Sequence, residues 1–134
     1  MDCIFCSIIE GNAPSWGLYE DDVAVAFLDI GQATPGHTLV VPRMHAADIW
    51  SLSEDEAASV MRSVHRVAAQ LRHALQPLGM NITQSNGPAA WQEVFHYHVH
   101  LVPRYGNDDL VPPWRPTRPS SEALAAVQRR IRAE

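Results

Sequence analysis

The sequence predicts an α+β fold: a five-stranded antiparallel sheet with one long helix and a C-terminal helix. Three observations point there. Short apolar runs of period two are bounded by turn residues, one long stretch has helical apolar spacing behind a capping signal, and 134 residues suit a single domain, 1–134.

Taken in order, "GLYEDDVAVAFLDI" reads as a strand, a tight turn around Glu20 to Asp22, and a second strand from Val23 to Ile30. Pro35 and Gly36 then mark a turn before a third strand, His37 to Pro42, which the proline ends. Ser53 with Glu56 three residues on is a capping box, and Ala57, Val60, Met61, Val64, Val67, Ala68, Leu71 and Leu75 follow at helical spacing. Pro77 and Gly79 stop that helix. "MNITQSNG" is a fourth strand ending at Asn86-Gly87, "PAAWQE" a loop, and "VFHYHVHLVPR" the fifth strand. Pro112, Pro113, Pro116 and Pro119 break up what comes next. The last element is "SSEALAAVQRRIRA", capped by Ser120 or Ser121 and basic toward its C-terminal end, as the helix dipole favours.

Composition excludes several function classes. Hydrophobic residues make up 46% and charged residues 19%, which is ordinary for a folded globular chain. A net charge of −5 argues against binding nucleic acid through its backbone, because that affinity needs a basic surface. No run reaches the ~18 apolar residues of a membrane span. An acidic residue stands near the N-terminus where a secretory signal carries positive charge, so a cytoplasmic location is expected.

Both cysteines lie in "CIFC", as Cys3 and Cys6. A disulfide scaffold does not fit so few cysteines, and a redox C-x-x-C wants a preceding strand that residue 3 cannot have. Two readings stay open from the residues alone: half of a tetrahedral metal site, or two semi-buried thiols.

"HYHVHLV", His96 to Val102, holds histidines at every second position. On a strand His96, His98 and His100 share one face, while Tyr97, Val99 and Leu101 take the other. At a rise of about 3.3 Å per residue the outer Cα atoms are roughly 13 Å apart, too far for one metal to take all three rings. Two of them sharing a metal would want a nearby carboxylate, and none follows until Asp108. As mere packing, three buried imidazoles are costly, since each ring nitrogen needs a partner. A row of this kind can instead fix the tautomer of the central ring and leave one nitrogen of His98 free to attack an electrophile, the outer ring or a backbone carbonyl holding the other nitrogen. His65 and His73 have no histidine three or four positions away and are assigned no role.

With these residues in place the sequence resembles the histidine triad (HIT) family, in its bacterial Hint-like branch. The family signature is His-φ-His-φ-His-φ-φ with φ apolar, and "HYHVHLV" fills every position. "CIFCSIIEG", "AFLDI", "PGHTLVVPRMH" and "SNG…QEVFH" extend the likeness across residues 1–106, leaving 107–134 as a proline-rich segment and the C-terminal helix.

The resemblance implies a HIT-like sheet that dimerises and an enzyme that cleaves nucleotides at the α-phosphate through a nucleotidyl-histidine on His98. His96 and His100 flank that nucleophile, and His37 matches the family's fourth histidine. Asp29 matches the acidic residue that holds the ribose hydroxyls; Phe27, Ile30 and Leu18 would wall the base pocket. Asn86 and Gln92 match polar residues near ribose and phosphate, and the backbone around Glu93 and Val94 would stabilise charge on the phosphoryl oxygens. Structural zinc is implied on Cys3, Cys6, His45 and His96, the competing reading being that His96 only hydrogen-bonds. The expected partners are a purine nucleotide such as AMP or a nucleoside phosphoramidate, and a second copy of the chain.

The chain departs from the family pattern twice. Trp91 stands where glycine is usual before Gln92, and Glu93 where serine or threonine is common. A carboxylate facing the pocket would repel extra phosphates, which favours phosphoramidate or adenylate substrates. A diadenosine polyphosphate hydrolase or nucleotidyl transferase uses the same chemistry, and a nucleotide-binding or interaction module with little catalysis is the alternative of another class. The family pattern does not explain "LVPPWRPTRP": C-terminal segments of Hint-like dimers reach a neighbouring active site, as Trp114 could, but its spacing does not align with that feature.

Overall fold

The computed structural model describes residues 2–133. A short helix α1 (Ile4–Ile9) precedes the hairpin β1 (Gly17–Glu20) and β2 (Ala24–Leu28), followed by β3 (Thr38–Pro42), the long helix α2 (Glu54–Leu75), β4 (Gly79–Gln84), β5 (Val99–Arg104) and the C-terminal helix α3 (Ser121–Arg132). The five strands form one antiparallel sheet in the order β1-β2-β3-β5-β4. Among the described residues no helix is long and apolar enough to cross a membrane.

The α+β fold class read from the sequence is therefore the observed one. The capping box of α2 forms on both sides, with Ser53 Oγ accepting from the Glu56 amide and the Glu56 carboxylate accepting from the Ser53 amide. Gln76, in the left-handed region at φ 50°, ends the helix. Ser120 is the residue that caps α3.

Alternation in the strands builds two cores. Ala24, Ala26, Val40, Val99 and Leu101 meet Val60, Val64, Val67 and Leu71 of α2 on one sheet face. Val25, Phe27, Leu39 and Val41 meet Cys3 and Phe5 on the other, so α1, which the sequence did not suggest, is the cover of the second face. Met61, inside the apolar series of α2, is half exposed and lies off the buried stripe.

The fifth strand is shorter than expected, beginning at Val99 instead of Val94. Val40 pairs with Val99, and continuing that register sets Tyr97 opposite Pro42, which has no N–H to offer. The Tyr97 carbonyl therefore finds no donor there, the Pro42 carbonyl is taken by His96 Nε2 at 2.8 Å, and the Tyr97 amide donates to the Ala46 carbonyl at 2.7 Å. His96 and His98 thus stand just before the ladder, and only His100 lies within it.

The turn before β3 requires glycine. Gly36 has φ +93°, and a β-carbon there would run into Leu75 at the end of α2 and lie 3.3 Å from Pro103. This close approach sets the position of His37, the next residue.

Candidate active site

Each ring of the histidine row is fixed by a different partner. His98 Nδ1 lies 2.7 Å from the His96 main-chain carbonyl. A carbonyl only accepts, so Nδ1 carries the proton and Nε2 holds a free lone pair. His100 Nδ1 lies 2.9 Å from His37 Nε2, and His37 Nδ1 accepts the Ala33 amide at 3.1 Å. That amide settles the pair's tautomers: His37 must carry its proton on Nε2 and donate to His100 Nδ1, which leaves the His100 proton on Nε2. His98 and His100 lie edge to face, with ring centroids 5.1 Å apart. No ring-to-ring hydrogen bond joins them, so the row is held by main chain and by His37 rather than along itself.

Burial favours the neutral forms of His37 and His100. Burial, with lesser contributions from His98 and His37, pushes His100 down to about 4. Burial also lowers His37, against the opposing pull of the Asp29 carboxylate 3.5 Å away.

His96 turns away from this group. It is fully buried, and its Nε2 donates to the Pro42 carbonyl at 2.8 Å. Its free Nδ1 lies 3.4 Å from Cys3 Sγ, 3.5 Å from Cys6 Sγ and 3.2 Å from His45 Nδ1. Cys6 Sγ is 3.4 Å from His45 Nδ1, and the four ligand atoms all lie within 4.8 Å of one another. Two thiolates and two unprotonated imidazole nitrogens are a donor set for a tetrahedral zinc, and the Pro42 carbonyl is the outer partner that exposes His96 Nδ1. Burial and the adjacent Cys3 thiol raise the Cys6 thiol, a penalty that a dication would remove. The cluster is therefore compatible with zinc. A second group, Asp29, His37 and His100, is comparably compact but differs in chemistry. A metal on His37 Nε2 would force the proton onto Nδ1, against the Ala33 amide, so this group is a hydrogen-bonded relay.

His98 and His100 open into a cavity of about 580 Å³, floored by Phe5, Phe27 and Leu39 and edged by Asp29 and Ile30. Glu93 and Val94 line it from the segment that leads into β5. Its size suits a nucleoside monophosphate. His37 stands behind His100, in reach of Asp29 but outside the lining.

Three residues expected at the site lie outside the cavity lining. Leu18 packs against the core under α2, because the strand register shifts between Gly17 and Tyr19, and it does not line the cavity. Gln92 is buried and spends its amide on main chain, donating to Ala47 and Val94 and accepting from Gly87. Asn86 accepts from the Ile49 amide and pairs with Gln84. Both brace the loops around the site from outside the cavity lining. Conversely, Phe5 was not singled out by the sequence, although its place between the two cysteines was the available signal. Its ring meets His98 edge on at 5.2 Å. Trp91 also lines the cavity, with a positive φ of 70° at the position where glycine is usual.

Known proteins agree with this architecture. A structure of a HIT family member from Bacillus subtilis matches with a TM-score of 0.91 and 39% identity, covering 98% of this chain and 95% of that one. A zinc-bound histidine triad family protein from Mycobacterium smegmatis matches with a TM-score of 0.78 and 39% identity over 100% of this chain and 99% of its own. An adenosine 5'-monophosphoramidase of Schizosaccharomyces pombe is 39% identical over 104 residues, 78% of this chain and 75% of the relative. The family model described as HIT domain matches residues 10–107. By that match and these relatives, the chain belongs to the HIT family.

Proposed function

We propose that the protein is a nucleotide hydrolase of the phosphoramidase kind, cleaving at the α-phosphate through a nucleotidyl intermediate on His98. One observation carries the reading: the His96 carbonyl accepts a hydrogen bond from His98 Nδ1–H, which leaves Nε2 unprotonated at the wall of a nucleotide-sized cavity. Asp29, at the edge of the same cavity, suits the two ribose hydroxyls, and Phe27 and Ile30 offer apolar walls to a purine.

His98 Nε2 attacks the α-phosphorus, and the bond from phosphorus to the leaving nitrogen breaks with its electron pair going to nitrogen. That nitrogen takes a proton from solvent and departs as an amine. The His100 Nε2–H, held outward by His37, is a neutral donor for charge growing on the phosphoryl oxygens. Water then attacks the phosphorus, the bond to His98 breaks with its electron pair returning to Nε2, and AMP leaves with the water oxygen while the water's proton goes to solvent. The S. pombe monophosphoramidase supports this substrate class.

Zinc on Cys3, Cys6, His45 and His96 is part of the proposal as a structural ion, supported by the zinc-bound M. smegmatis relative. It would pin α1 over the second core and brace His96, with no part in the phosphoryl step. The protein is also proposed to act as a homodimer. β4 is an exposed edge of the sheet, and a groove between it and α2, lined by His65, Arg72, Met80 and Ile82, gives a second copy a surface to continue the sheet.

The test is to incubate adenosine 5'-phosphoramidate with wild type, His98→Ala and His98→Asn, following AMP release and the mass of the acid-quenched protein. Wild type should turn over and carry a transient adenylyl adduct, and both variants should fall below about a thousandth of its rate with no adduct. Equal release by all three would remove the enzyme reading and leave a nucleotide-binding module.

A further inference from the structure

The two cysteines and the cavity floor lie on one short piece of chain. Cys3 caps α1, Cys6 lies in its first turn, and Ile4, Phe5 and Ile8 of the same helix line the cavity that holds His98. The Phe5 ring meets those of His98, Phe27 and His96 edge on, with centroids 5.2, 5.5 and 5.9 Å away. A helix of six residues does not stand alone in water, so α1 keeps its place through what it packs on and what its start is tied to. Phe5 is the buried residue within it, and Ile4 is 52% exposed. The ties at Cys3 and Cys6 therefore carry much of its hold.

The two sulfurs are close neighbours with unequal access. Both lie against His96 Nδ1, at 3.4 and 3.5 Å, and the four ligand atoms of the cluster are within 4.8 Å of one another. Cys3 is buried, whereas Cys6 is partly exposed and meets His45 Nδ1 on the solvent side. The sulfurs are near enough for modest side-chain rotation to close a bond of about 2 Å. That rotation withdraws both from the imidazoles, and a disulfide sulfur has no charge with which to hold a dication.

We propose that Cys3 and Cys6 are an oxidation site: a hydroperoxide joins them as a disulfide, the cluster releases its zinc, and α1 loosens from the cavity floor until a dithiol and zinc restore it. This rests on the structural-zinc reading and adds a modification to it. The exposed Cys6 thiolate attacks the hydroperoxide; the O–O bond breaks, the departing oxygen takes a proton from solvent, and Cys6 is left as a sulfenic acid. The Cys3 thiolate then attacks the Cys6 sulfur; the S–O bond breaks, and the departing hydroxide takes a second proton and becomes water. Two electrons pass from the sulfurs to the peroxide. His45 and His96 remain with one ligand nitrogen each, half of a tetrahedron. Cys3 Sγ also ceases to accept from the Cys6 amide at 3.4 Å, so α1 loses its cap. The His98 tautomer is set by the His96 carbonyl, which takes no part in these steps, so the change is reversible.

The test treats wild-type protein, purified with its zinc, with hydrogen peroxide. Four quantities are followed: zinc passed to a chromogenic chelator, the mass of the peptide 1–43 cut after Arg43, amide exchange across α1, and turnover of adenosine 5'-phosphoramidate. Zinc should be released as the peptide becomes lighter by two hydrogens, α1 exchange should rise by about tenfold or more, and turnover should fall with it. Dithiothreitol with zinc should restore all four, which separates the disulfide from methionine sulfoxide, since that product needs its own reductases. Zinc retained under peroxide, or released without the loss of hydrogen, would overturn the oxidation site. Unchanged α1 exchange after release would overturn its hold on the cavity floor. Protein that carries no zinc as purified would remove the zinc reading and this site together. No turnover by the reduced protein would remove the phosphoramidase reading alone, with zinc, mass and exchange still deciding the site.

Discussion

His96 serves His98 with its main chain and the cysteine cluster with its ring. Its carbonyl accepts from His98 Nδ1 at 2.7 Å, while its own Nδ1 is turned to Cys3, Cys6 and His45. The two tasks use different atoms and do not compete. The consequence is a fixed tautomer: at pH 8 long-range ¹⁵N–¹H spectra should show His98 protonated on Nδ1 and bare on Nε2. A His98 signal from the Nε2–H form would take away the nucleophile.

If the Cys2His2 cluster holds zinc, losing one sulfur should cost both metal and order near the site. Cys3 is nearly buried and also caps α1 through the Cys6 amide, so Cys3→Ser removes a ligand and weakens the helix that floors the cavity with Phe5. Elemental analysis of protein purified without added metal should give close to one zinc per wild-type chain and well under half of that for Cys3→Ser. The variant should also melt lower. Equal metal content would exclude Cys3 as a ligand.

Elements with a local chemical cause were legible in the sequence: the capping box at Ser53, the stop at Pro77, and the period-two runs of β2 and β3. Elements set by distant partners were not. The fifth strand starts late because Pro42, more than fifty residues earlier, has no N–H for the Tyr97 carbonyl and gives its own carbonyl to the His96 ring. Leu18 faces the α2 core because of a register shift in β1 that no residue pattern marks. Gln92 carries the right chemistry for a ligand contact, yet its amide is taken by three main-chain groups that only the folded loops bring together. The contact of Trp91 with Trp114 joins two segments whose sequences give no hint of each other.

The proposed dimer makes β4 its seam. Ile82 is paired with Leu101 in the sheet, shares its α2-facing side, and is still 48% exposed, which is unusual for a residue on the core face. Sedimentation should give twice the mass of one chain for wild type, and Ile82→Lys should shift it toward a single chain by burying a charge in the seam. Wild type sedimenting as a monomer at micromolar concentration would end the dimer proposal.

His100 should give the fold a pH dependence whose sign follows from its surroundings. Its ordinary value is 6.5, and burial with the neighbouring His98 and His37 brings it down to about 4 in the folded protein, Asp29 pulling weakly the other way. The unfolded chain therefore takes up this proton at a higher pH than the folded one. The stability that goes with neutral His100 is fully present above about pH 6.5 and is lost as the pH falls toward 4, by up to roughly 3 kcal/mol across that window. His37 and His96 are lowered as well, so wild type alone cannot isolate the effect. His100→Gln keeps a polar group of similar reach but cannot titrate. Urea unfolding of both proteins between pH 7.5 and 4.5 should show wild type losing more stability than the variant as acid is added. Parallel curves would mean that His100 gains its proton in the folded state as easily as in the unfolded one, and that the His37 bond does not hold it neutral.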